Sequence, residues 1–184
     1  IMENQEHPFK QFLFCPKCGS KDFVIHDSKS KHCNSCGFTY YFNPSTANVA
    51  VIINERNELL VCRRGKEPAL GTLDLPGGFC DCFETAEQGV IREVKEETGL
   101  DVRETHYLFS LPNLYLYSGF TVHTLDLFFV CTVPEQYTLK AMDDVADCFW
   151  VPLNEISPEA FGLQSVQKGI RMILKGNLLA PFLK

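Results

Sequence analysis

The sequence predicts an α/β protein built on a mixed sheet and preceded by a small cysteine-stapled ribbon. Three observations carry this: a capped amphipathic segment over residues 86–98, several β-branched and aromatic stretches bounded by Gly and Pro, and two C-x-x-C-G knuckles near the N-terminus. The ribbon is assigned to residues 1–42 and the larger domain to residues 43–184. A hydrophobic content of 45% over 184 residues suffices for a substantial core. No apolar run approaches the roughly 20 residues needed to span a membrane. The N-terminus lacks the basic and apolar blocks of a secretory signal, so a cytoplasmic location is expected. A net charge of −6 argues against broad, charge-driven binding to nucleic-acid backbones but leaves open recognition of a nucleotide end.

The ribbon comes first. Cys15-Pro16-Lys17-Cys18-Gly19 and Cys33-Asn34-Ser35-Cys36-Gly37 are the two knuckles, with fourteen residues between the inner cysteines. Glycine allows the tight turn that points backbone amides at a thiolate, and Cys15, Cys18, Cys33 and Cys36 together supply a tetrahedral Zn²⁺ site. Redox pairing is the competing idea, but such motifs usually occur singly beside a βαβ unit. A ribbon of about 25 residues builds little core, so the metal should supply its folding free energy and its role should be structural. Lys10, Lys17, Lys21, Lys29 and Lys31 lend it positive charge without an aromatic-basic stripe. The remaining cysteines, at 62, 80, 82, 131 and 148, read as small apolar residues or reduced thiols. A Cys80–Cys82 disulfide would be strained.

Beyond it, residues 40–44 read as a connector, 47–54 as a strand, 55–58 as a turn and 59–64 as a second strand. A polar loop over residues 65–71 leads to Leu73-Asp74-Leu75-Pro76-Gly77-Gly78. Arg63, Arg64 and Lys66 are candidates to approach phosphates, with a solvated loop as the competing reading. Thr85 with Gln88 forms a capping box and Gly99 supplies a stop, which predicts the helix over 86–98. Residues 107–111, 122–133 and 147–151 complete the sheet, and a second helix is expected over 158–175, with Pro158 in its first turn and Gly176 at its end. No internal repeat is present.

On the first helix, Glu93, Glu96 and Glu97 share one face, at roughly 0°, −60° and 40°, while Val90, Ile91 and Val94 occupy another. Ala86 and Gly89 leave the turns before these acids nearly free of bulk. Crowded carboxylates repel one another, and like charges four residues apart weaken a helix by a few tenths of a kcal/mol. Oxygen-only ligands suit a hard divalent ion, Mg²⁺ or Mn²⁺, which takes further ligands from substrate phosphates.

Gly78, five residues, Glu84, seven residues and then Arg-Glu-Val-Lys-Glu-Glu-Thr-Gly-Leu match all nine prescribed positions of a 23-residue box. In this the chain resembles the Nudix hydrolase family. The resemblance implies an α/β/α sandwich around a mixed sheet, in which the box forms loop, helix and loop and its acids bind divalent metal. Substrates would be a nucleoside diphosphate joined to another group. Carried onto this chain, Glu93, Glu96 and Glu97 become the metal-binding, catalytic acids. Glu84 supports or joins them, and Arg92 orients a glutamate by ion pairing. A general base comes from the box or a later loop; Asp144, six residues before Trp150, is the late candidate, with Asp143 and Asp147 competing.

Eleven residues beyond Gly99 lies Ser110-Leu111-Pro112-Asn113-Leu114-Tyr115-Leu116-Tyr117-Ser118. With the ribbon and the box it resembles the NADH pyrophosphatase branch, whose signature reads Ser-Gln-Pro-Trp-Pro-Phe-Pro-x-Ser. The serines, the first proline and an aromatic at Tyr115 are kept, whereas Asn113 stands for tryptophan and Leu114 and Leu116 for prolines. The implied substrates are NAD(H) or ADP-ribose, and members of this branch often pair as homodimers. Gly78, Asn113, Tyr115 and Tyr117 are the substrate-side candidates: Tyr115, Tyr117 and Phe120 offer a stacking face and Asn113 a ring-edge reader, against the alternative that the tyrosines only pack. Other readings are a non-catalytic nucleotide sensor, hydrolysis of modified nucleoside triphosphates, and a ribbon that docks protein or a nucleotide-capped RNA end.

Overall fold

A computed structural model describes residues 7–134, 138–143, 145–176 and 178–183. The chain forms two compact units, Ile1–Pro44 and Ser45–Lys184.

In the first unit, β1 (Phe23–Asp27), β2 (Ser30–Cys33) and β3 (Thr39–Tyr41) make an antiparallel sheet. Tyr40 and Tyr41, expected as part of a connector, instead belong to β3 and pair with β2, with Ser30 opposite Tyr41 and Lys31 opposite Tyr40. The unit's small core consists of Cys15, Phe23 and Cys33 with Cys36 and Phe38 against them. Lys31 does not contribute surface charge as its type suggests. It is 7% exposed, its Nζ donating to the Phe12 carbonyl at 2.6 Å and lying 5.0 Å from the Phe23 ring centre.

The second unit holds two three-stranded sheets. In one, β4 (Ser45–Val51) runs parallel to β8 (Phe120–Thr132), which pairs antiparallel with β7 (Glu104–Tyr117). In the other, β5 (Glu58–Arg64) lies antiparallel between β6 (Leu73–Asp74) and β9 (Val145–Pro152). Alternation along β4, β5 and β8 sorts side chains to two cores. Val49, Val51, Leu59, Val61, Phe128 and Val130 pack with α2 (Gln164–Gly176). Ala50, Ile52, Leu60, Cys62, Phe129 and Cys131 pack with α1 (Ala86–Thr98). The result is the α/β/α sandwich. Gly169 lets α2 approach closely, because a Cβ there would sit 2.5 Å from the Phe128 ring. Among the described residues, no helix is long and apolar enough to cross a membrane.

α1 occupies the predicted span, with the Thr85–Gln88 capping box formed and Gly99 in the left-handed conformation at φ 73°. α2 starts later than residue 158. Pro158–Ala160 make one 3-10 turn, then Phe161 turns extended, bridges Leu73 and buries its ring to 1% exposure. That burial ends the turn, and the helix begins only at Gln164. β7 is also longer than expected, running through the segment at 110–117 to a tight turn at Ser118 and Gly119, both at positive φ. Two consecutive positive-φ residues match the right-handed twist of the long hairpin.

Candidate active site

The loop before α1 approaches the sheet and the helix so closely that side chains are excluded. A Cβ on Gly77 would meet the Asn48 carbonyl oxygen at 2.0 Å, and one on Gly78 would lie 2.7 Å from all three atoms of the Glu93 carboxyl group. The Gly77 N–H donates to Glu97 Oε2 at 2.9 Å. Gly89, one turn into the helix, leaves room for Asn48 and Glu84, the latter's Oε1 lying 2.8 Å from where a Cβ would stand. The glycines therefore press backbone against two carboxylates and keep the space in front of them open.

Arg92 ties the acids together. Its guanidinium donates to both oxygens of Glu84 at 2.7 and 3.2 Å, to Glu93 at 2.8 Å, to Glu96 at 3.0 Å and to the Phe79 carbonyl at 3.0 Å. Its bonds to Glu84 hold that carboxyl below the usual range, helped by the Asp81 N–H at 2.6 Å. Burial pushes Glu93 up, and pushes Glu97 up to about 9, with neighbouring Asp74 and Glu93 adding to the latter. A buried carboxyl, Glu97, and a half-buried one, Glu93, both resisting ionisation, are a site in need of positive charge. Their hard oxygen donors, bare frontage and glycine-lined approach fit Mg²⁺ or Mn²⁺.

Glu93 and Glu97 line a cleft of about 630 Å³, together with Gly77, Gly78, Asn113, Tyr115, Tyr117, Arg63, Arg64 and Lys66. Glu96 is not on its wall; its side chain is 48% exposed and paired with Arg92. Glu84 likewise stands behind Arg92. Arg64 is not a solvated loop residue. It bonds Asp74 at 2.6 Å, the Pro68 carbonyl at 2.7 Å and Tyr115 Oη at 3.3 Å, fixing the ring that Phe79 meets edge-on at 5.8 Å. Tyr115 is thus a positioned wall rather than core filler, whereas Tyr117 stands at the open end, 61% exposed. Asp144 lies outside the described residues. Of its competitors, Asp143 lines the cleft and its charge adds to the upward shift of Glu93, while Asp147 is exposed on β9 opposite Arg63.

Sequence reading missed Asn48, the Asp74–Arg64 pair, and Asp126 with Thr124 and Ser165, all in or beside this cleft. Asp126 had a visible signal: it is the one acid within the apolar run over residues 122–133. Cys80, in the box loop, accepts from Asn48 Nδ2 at 3.0 Å.

In the first unit, the sulfurs of Cys15, Cys18, Cys33 and Cys36 all lie within 4.8 Å of one another, with Cys15–Cys36 at 3.8 Å and Cys18–Cys33 at 3.6 Å. A tetrahedral site with Zn–S bonds of about 2.3 Å separates its sulfurs by about 3.8 Å, so the four thiols fit that ion. Gly19 and Gly37, at φ 75° and 71°, close the two knuckles by donating to the Cys15 and Cys33 carbonyls at 2.8 and 2.9 Å.

The NUDIX domain family matches residues 43–170. An ADP-ribose pyrophosphatase from Methanocaldococcus jannaschii is 34% identical over 133 residues, covering 71% of this chain and 75% of that protein. An NAD-capped RNA hydrolase NudC from Vibrio atlanticus is 32% identical over 106 residues, 58% of this chain, and the match spans only 39% of that protein's length. A solved NUDIX hydrolase from Nitrosomonas europaea shares the fold, with a TM-score of 0.68 at 19% identity over 88% of this chain and 90% of that one. From a box that places glycine backbone against the Glu93 and Glu97 carboxylates, and from a domain match over most of its length, the chain belongs to the Nudix hydrolase family.

Proposed function

We propose that this chain hydrolyses the pyrophosphate bond of a nucleoside diphosphate linked to another moiety, with ADP-ribose as the leading substrate and NAD(H) next. The observation that carries the proposal is the pair Glu93 and Glu97, the first half-buried and the second buried, crowded together and lining a cleft beside a glycine loop. The relative named as an ADP-ribose pyrophosphatase aligns over most of both chains, which favours that substrate over a capped RNA end.

Glu93 and Glu97, with Glu96 at the rim, would hold Mg²⁺ or Mn²⁺. Such an ion neutralises phosphate charge and makes a bound water more acidic. Glu84 and Arg92 act by positioning, since both Glu84 oxygens are engaged by Arg92. The Gly77 N–H orients the Glu97 carboxylate, and Asp143 is the cleft-facing candidate to accept a proton from water. Tyr115, held by Arg64, and Phe79 give the nucleoside an aromatic flank. Cys15, Cys18, Cys33 and Cys36 would hold Zn²⁺ in a structural role.

The test is Mg²⁺-dependent hydrolysis of ADP-ribose, NADH, NAD and nucleoside triphosphates, with products separated by chromatography and Glu97→Gln in parallel. One dominant substrate is expected, with AMP among the products, and at least about a hundredfold loss of kcat in the variant. Turnover of Glu97→Gln at the normal rate with normal metal dependence would refute the site.

A further inference from the structure

Besides Glu93 and Glu97, the cleft carries a second set of polar groups. On β7 and β8, Asn113 stands across from Thr124 and Leu111 across from Asp126, so Asn113, Thr124 and Asp126 share one face of the sheet, with Tyr115 next along. All four line the cleft. Three of them are nearly shielded from solvent, with Asn113 at 8%, Thr124 at 4% and Asp126 at 4% exposure. Burying polar groups so deeply costs free energy unless they are hydrogen-bonded.

Asp126 is bonded, and in one direction only. Thr124 donates its hydroxyl proton to one carboxylate oxygen, and Ser165, at the start of α2, donates to the other. With both protons committed to the carboxylate, Thr124 and Asp126 present only lone pairs to the cleft, and Ser165, itself not on the cleft wall, holds the second oxygen of Asp126 in place. Asn113 differs: among the described residues, no protein group bonds its carboxamide, which offers a donor and an acceptor side by side. A phosphate is excluded from this floor by the carboxylate. A group that brings an N–H donor beside an acceptor satisfies it.

We infer that Asn113 and the Thr124–Asp126 floor, held by Ser165, read the amino-bearing edge of the substrate's ring. This rests on the proposed nucleotide hydrolase and names how it chooses among nucleotides. The edge is an amino group next to an acceptor, which adenine presents as its amidine and nicotinamide as its carboxamide. Asn113 pairs with donor and acceptor together, as asparagine does with adenine, and the amino group's second proton points to the acceptor-only floor. The Tyr115 and Phe79 rings flank it. Hypoxanthine, whose carbonyl replaces the amino group, turns an acceptor toward acceptors; nicotinic acid turns a carboxylate toward Asp126.

Calorimetric binding of four mononucleotides to the whole chain tests this without requiring turnover. AMP is compared with IMP, and nicotinamide mononucleotide with its nicotinic acid counterpart. The wild type should prefer the amino-bearing member of at least one pair by about tenfold or more. Which pair is discriminated tells whether the slot takes the adenine or the nicotinamide end. Asn113→Leu, similar in size, should erase the preference while keeping the melting temperature. Asp126→Asn, which adds a donor to the floor, should weaken or invert it. Equal binding within both pairs, a preference untouched by both variants, or no binding of any of the four overturns the inference. Hydrolysis of ADP-ribose, NADH, NAD and nucleoside triphosphates, run on the same samples, judges the underlying reading separately: cleavage without discrimination sinks only the ring-edge assignment, and discrimination without cleavage of any of them sinks only the enzyme.

Discussion

Replacing Glu97 by glutamine should abolish a pH dependence of stability that the wild type shows when magnesium is absent. Burial behind the Gly77 loop, with Asp74 and Glu93 nearby, raises the Glu97 carboxyl from its ordinary 4.5 to about 9. Near neutral pH the group is therefore ionised in the unfolded chain and protonated in the metal-free folded one. Folding takes up a proton, so the stabilising contribution is complete below the unfolded carboxyl range and declines as pH climbs toward about 9. The limiting slope for one such group is about 1.4 kcal/mol per pH unit, or roughly 3–6 °C in melting temperature for a chain of this size. Thermal melts at several pH values between about 6 and 8 should show the decline in protein dialysed free of magnesium with zinc left in place. Added Mg²⁺, which favours the ionised carboxylate, should flatten it. Glutamine keeps the shape but cannot ionise, so the variant should lack this part of the slope in either condition. Identical slopes in wild type and variant would show that Glu97 does not sit neutral in the folded protein, and the account of its burial would fall.

Three further outcomes are expected. Elemental analysis of protein purified without chelators should return one zinc per chain, and Cys33→Ser should accelerate hydrogen exchange across residues 12–42 while Mg²⁺-dependent hydrolysis persists; absence of zinc would refute the ribbon site. Gly78→Ala forces a methyl group to within 2.7 Å of the Glu93 carboxyl carbon and oxygens, so steady-state kinetics should show kcat falling by about ten- to a hundredfold with little change in melting temperature. Gly169→Ala drives a methyl into the Phe128 ring at 2.5 Å and should cost about 1–3 kcal/mol in denaturant unfolding, with kinetics nearly intact.

The helix that carries the acids was legible because its limits are local chemistry: Thr85, Gln88 and Gly99 act within a few residues of themselves. The cysteine knuckles were legible for the same reason. The start of α2 was not, because Phe161 is pulled into extended geometry by a bridge to Leu73, far away in sequence. Tyr40 and Tyr41 read as the start of a connector, since a strand of only three residues carries too little alternation to betray a partner. The box spacing exposed Glu93 and Glu97, but not the difference between them and Glu96, which depends on how closely the glycine loop packs on one side of the helix. Arg64 looked like a solvated cation because its partners, Asp74 and Tyr115, come from two other strands. Asp126 acquires meaning only once β7 and β8 pair and Ser165 arrives from α2.

Arg92 gives the two proposed metal sites opposite relations to the life of the protein. Its guanidinium bridges Glu84, Glu93 and Glu96, serving as an internal counter-ion that lets the acidic helix assemble before any magnesium arrives. On the proposed function, magnesium would then come and go with each catalytic cycle. The ribbon's core is small, with Phe23, Phe38 and the cysteines in one cluster and Phe9 packed on a few neighbouring rings, so the proposed zinc would have to be present while the chain matures. Zinc supply during synthesis would thus set how many molecules reach an intact first unit, and magnesium supply afterwards would set how fast each one works.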